Sequence, residues 1–93
     1  NYQGAEQLAE QAEKSLEDID KKEKKQLEKL LQTEKEDFEN KGEQAKKDIE
    51  LLKNNMSEEE YEAKKKALEQ SLQLEKEALE KSQEEMKKAE EDR

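Results

Sequence analysis

Proline, cysteine, histidine, tryptophan and valine are all absent from these 93 residues, and glycine occurs only twice. Without cysteine there is neither a disulfide framework nor a thiolate zinc site, and redox compartment goes unmarked. Without proline, no interior residue breaks a helix. Only one phenylalanine and two tyrosines supply aromatic surface, and hydrophobic residues make up 28% of the chain. So little apolar material in so short a chain closes no globular core around a pocket. No apolar run approaches the ~20 residues needed to span a bilayer. No signal peptide is visible, so any export signal is expected outside these residues or already removed.

Charge is what the chain has in abundance. Charged residues are 51% of the total and the formal net charge is −9, with 19 basic residues interleaved among 28 acidic ones. Interleaving of this kind favours long helix over an acidic disordered tail. Glu, Lys, Leu, Gln and Ala dominate, all strong helix formers. A nucleic-acid partner is excluded on charge, because a duplex repels an acidic surface that carries no basic stripe.

The apolar residues keep a regular step. Ala5, Leu16, Leu27, Phe38 and Ile49 recur every eleven residues; Leu8, Ile19, Leu30 and Leu52 follow a second track, broken at Lys41. Ala12, Ala45 and Met56 mark a third, whose middle members are Glu23 and Glu34. Eleven residues are three turns at about 3.67 residues per turn, close to a straight helix. The stripe therefore predicts one helix over about residues 4–53, some 75 Å long at 1.5 Å per residue. Gly42 lies inside it and costs roughly 1 kcal/mol relative to alanine. The stripe stays in phase across Gly42, which is expected to be a soft point or hinge, not a stop.

The break is expected at 53–57. Asn54 and Asn55 favour turn or left-handed conformations. Ser57 is then an N-cap, with Glu58, Glu59 and Glu60 putting negative charge in the first turn and Glu60 at the capping-box position. The second helix, about 58–92, carries Tyr61, Leu68, Leu72, Leu79, Met86 and Ala89 at nearly heptad spacing. Folding back at residue 55 brings Ile49 to Tyr61, Phe38 to Leu72 and Leu31 to Leu79. The predicted fold is all-α, a single antiparallel helical hairpin of coiled-coil character. Its seam is expected to hold Ile19, Leu27, Leu30, Phe38, Ala45, Ile49 and Leu52 of the first helix, with Tyr61, Leu68, Leu72, Leu79 and Met86 of the second. The polar gaps at Glu23, Glu34, Lys41, Lys65 and Glu75 thin that seam, so low-temperature melting is expected.

On this register the second helix reaches back only to about residue 17. Ala5, Leu8, Ala9 and Ala12 then have no partner, which predicts self-association into a homo-oligomer or a chain that is a piece of a larger protein.

Catalytic chemistry has few carriers here. There is no His or Cys, and Ser15, Ser57, Ser71, Ser82 and Thr33 have no base of the usual kind nearby. Paired carboxylates such as Glu34 with Asp37 lack the burial that shifts a pKa. The Met56–Glu60 segment has neither the glycine nor the ligand spacing of an EF-hand. No catalytic, cofactor-binding or metal-ligating residue is expected, and no cofactor. Glu23 and Glu34 are read as carboxylates that snorkel from the seam.

Three segments together resemble a known family: Phe38-Glu39-Asn40-Lys41, then Met56-Ser57-Glu58-Glu59-Glu60-Tyr61, then Lys64-Lys65-Lys66-Ala67-Leu68-Glu69. They look like the helical arms of the OmpH-like (Skp) family of periplasmic chaperones, where a Lys/Glu-rich helix meets a Ser-capped returning helix. Tyr2-Gln3-Gly4-Ala5 is similar to the segment where such arms leave the body domain. The resemblance implies an ATP-independent holdase arm in the periplasm, with unfolded outer-membrane proteins as clients. Members of that family are often basic, whereas this chain is acidic. Met56–Leu68 also resembles the short SHOCT-type helical motif. Leu31, Leu74 and Gly42 are candidate client contacts or hinge positions, with Leu51 at the same edge and Phe38 and Met86 as further candidates. The competing expectation is a structural coiled-coil spacer or assembly module.

Overall fold

The computed structural model describes residues 2–92, and it is all-α. Helix α1 spans Tyr2–Leu52 without interruption, a 3-10 turn follows at Lys53–Asn55, and α2 spans Glu58–Glu91. Gly42 lies within α1 and has no positive φ, so the helix runs straight through it. The residues fall into two compact units, 2–31 and 32–92.

In the unit 32–92, the C-terminal part of α1 and α2 pack antiparallel as a hairpin. The reversal is built from the cap outward. Ser57 is extended, with φ −68° and ψ 158°, and its hydroxyl accepts the Glu60 N–H at 3.1 Å. The Ser57 carbonyl accepts the Tyr61 N–H at 2.9 Å, the first turn of α2. The Glu60 carboxylate lies 3.2 Å from Lys64 Nζ, a favourable i,i+4 pair.

Two expectations about the reversal are corrected. Asn54 and Asn55 are not the pivot and neither adopts a left-handed conformation. They belong to the 3-10 turn that continues α1, closed by the Met56 N–H donating to the Lys53 carbonyl at 3.3 Å. The chain turns at extended Met56 and Ser57 instead. Each residue by which the pivot moves shifts the facing register by two. Leu72 accordingly lies against Gly42, one turn beyond the expected Phe38, which lines the same groove, and the Tyr61 hydroxyl bonds to Glu50, the neighbour of the expected Ile49. Lys41 pairs with Glu75 across the hairpin at 3.6 Å.

The covered residues also revise which stripe forms the seam. In α1 the buried or half-buried positions include Leu27, Leu31, Glu34, Phe38, Gly42, Ala45 and Ile49. These keep the eleven-residue step, but the covered track is Leu31–Gly42, one position round from Leu30–Lys41. Ile19, Leu30 and Leu52, expected in the seam, are exposed. In α2 the expected heptad gives way to the same step of eleven. Tyr61, Leu72 and Gln83 form one covered track, and Leu68, Leu79 and Glu90 another. Met86, a heptad beyond Leu79, is exposed as a result. Straight helices hold an eleven-residue repeat in phase, whereas a heptad drifts by about 20° per repeat without supercoiling.

Candidate functional surface

Coverage in the described residues is thin. Leu31 at 3% and Tyr61 at 6% relative exposure are the buried hydrophobic residues, joined by Gln83 at 3%. Gln83 escaped the sequence reading because it is polar; its place eleven residues after Leu72 was the available signal. Two surface features in the unit 32–92 remain as candidates.

One is the cluster at the turn. The Tyr61 hydroxyl donates a hydrogen bond to the Glu50 carboxylate, tying α2 to α1. Lys53 Nζ stands 4.8 Å from the Tyr61 ring centroid and Lys65 Nζ 5.9 Å, both within cation–π range. The hydrogen bond to Glu50, then desolvation, then the charges of Glu50 and Glu62, push the Tyr61 pKa from 10.0 up to about 12. A phenol held protonated in this way is a structural donor and a poor general base at neutral pH. This geometry clamps the turn.

The other is an open groove of about 670 Å³ along the hairpin. Phe38, Leu72 and Leu79 contribute apolar surface, and Gly42 sits among them without a side chain. Lysines (Lys35, Lys46, Lys76) and glutamates (Glu39, Glu43, Glu69, Glu80) are mixed along its rim. The groove has room and apolar surface, but its rim carries both signs and offers no single charged anchor.

The residues singled out from sequence divide clearly. Phe38, Ala45, Ile49, Leu68, Leu72 and Leu79 are half-buried and Tyr61 is buried, as is Leu27 in part. Leu31 is buried, which removes it as a client contact. Gly42 is buried beneath Leu72 within a continuous helix, where a Cβ would meet Leu72 at an ordinary 3.5 Å. Leu74, at 68% relative exposure, and Leu51 are exposed.

Compared with models of protein families, with curated proteins and with solved structures, the chain matches none. Among the described residues no helix is long and apolar enough to cross a membrane.

Proposed function

We propose that this chain is a non-enzymatic polypeptide-binding arm, an ATP-independent holdase that contacts unfolded outer-membrane proteins in the periplasm. The observation that carries this reading is the groove over Phe38, Leu72 and Leu79, with its mixed-charge rim, together with exposed leucines of the same unit such as Leu51 and Leu74. Dispersed apolar contacts on a stiff charged wall hold a client weakly at many points, and the charge keeps the arm itself soluble. The likeness of the Phe38–Glu69 segments to OmpH-like arms points the same way, and it alone supplies the compartment and client class.

The test is aggregation of an unfolded outer-membrane protein diluted from denaturant, followed by light scattering with increasing amounts of this chain. Suppression without nucleotide is expected, reduced in a Leu51→Ser/Leu74→Ser variant that keeps its helical content. Undiminished aggregation at several-fold molar excess of the chain ends the holdase reading.

A second reading, an assembly module, is favoured by a different region. In residues 2–31 the apolar side chains at Leu8, Leu16, Ile19 and Leu30 are all exposed while keeping helical phase. Client binding does not call for that regularity; pairing with another helix does.

A further inference from the structure

We infer that residues 5–30 of two copies of this chain pair antiparallel, about a two-fold axis between Glu17 and Asp18. The stripe there runs Ala5, Leu8, Ala12, Leu16, Ile19, Glu23, Leu27 and Leu30, with steps of three, four, four, three, four, four and three. That spacing reads the same from either end, so reversing one copy lays the stripe upon itself. Leu16 then meets Ile19 of the second copy, Leu8 meets Leu27, and small Ala5 meets large Leu30. The lone polar member, Glu23, falls opposite Ala12, where it has room to reach solvent. Leu8, Leu16, Ile19 and Leu30 are between 52% and 68% exposed, whereas Leu27 is already half-buried, so the face is open at all its large apolar positions but that one.

Charge decides the occupant and its direction. Residues 6–14 carry three glutamates and one lysine, whereas residues 21–29 carry five lysines and two glutamates. Antiparallel pairing sets the acidic stretch of each copy against the basic stretch of the other, twice by symmetry. Glu13 is then brought alongside Lys24 of the second copy on one flank of the seam. Parallel pairing would set acid on acid and base on base throughout, which is repulsive. The acidic centre, Glu17, Asp18 and Asp20, faces itself in either direction and weakens the pair. The result is a reversible dimer that salt modulates. It requires no client, so it stands apart from the holdase reading.

The test is sedimentation equilibrium of the full chain without client over a wide concentration range. Reversible doubling of mass is expected; a monomer at the highest concentration overturns the inference. Leu16→Glu, close to the dyad, should weaken association at least about tenfold while helical content is retained. Glu10→Lys/Glu13→Lys should also weaken it, and adding Lys24→Glu/Lys25→Glu should restore it; charge reversals without effect refute the pairing. Because the chain has no cysteine, direction is read by oxidation. A mixture of Ala5→Cys and Leu30→Cys chains should cross-link to each other, and self-linking of Ala5→Cys would show a parallel pair and overturn the assignment.

Discussion

The segments 2–31 and 32–92 carry the same eleven-residue apolar step, yet they use it differently. In 32–92 it is half-buried at Phe38, Ala45 and Ile49 because α2 lies across it. In 2–31 the corresponding Ala5, Ala12 and Leu16 are exposed, and coverage begins only at half-buried Leu27 and buried Leu31. Periodicity therefore marks a face that is able to be covered, and the chain's own connectivity decides how far it is covered.

The sharpest way to break this comparison is truncation of a leucine in each segment. Leu72→Ala, in the hairpin, should lower stability by about 2 kcal/mol. Leu16→Ala, under dilute conditions, should change it by less than about 0.5 kcal/mol. Urea unfolding followed by circular dichroism reads both, and equal losses would mean that the N-terminal face is already covered. Gly42→Ala should stabilise by about 1 kcal/mol, because a Cβ there meets Leu72 at 3.5 Å, an ordinary contact. A loss of stability would show that the helices approach more closely than this or that a bend at Gly42 is required. Ser57→Ala should cost about 1 kcal/mol through the lost cap, again by urea unfolding, and a neutral outcome would move the start of α2.

Smaller effects lie on the surface. The Lys41–Glu75 pair is well exposed on both sides, so a double-mutant cycle should return less than about 0.5 kcal/mol. The ionisation of Tyr61 matters only in alkali. Its folded pKa is raised, so the contribution is complete below pH 10 and is lost as pH climbs from 10 towards 12. Phenolate absorbance should show a tyrosine titrating near 12, and Tyr61→Phe should remove that part of the alkaline destabilisation. An ordinary titration would break the Glu50 link.

Much of the fold was legible. Continuity through Gly42 followed from the stripe staying in phase, and the Ser57 cap from its hydroxyl ahead of three glutamates. The heptad reading of α2 failed because Gln83 and Glu90 occupy covered positions while Met86, a more apolar residue, is exposed. Hydrophobicity is a one-way guide in a two-helix seam, where long polar side chains cover surface as well as leucine does. Similarly, Leu30 and Leu31 are equivalent in composition, so nothing local distinguished the exposed one from the buried one.

Sequence alone was sufficient for two long uninterrupted helices, the eleven-residue step and the capped restart at Ser57, because propensity, capping and period act within a few turns of backbone. Tertiary structure was needed to choose Leu31 and Gly42 over Leu30 and Lys41 and to set Leu72 against Gly42. A 3-10 extension through Asn55 moved the pivot by about two residues, which displaces the facing helix by a full turn; that displacement is a property of the reversal's geometry and leaves no mark in the periodicity.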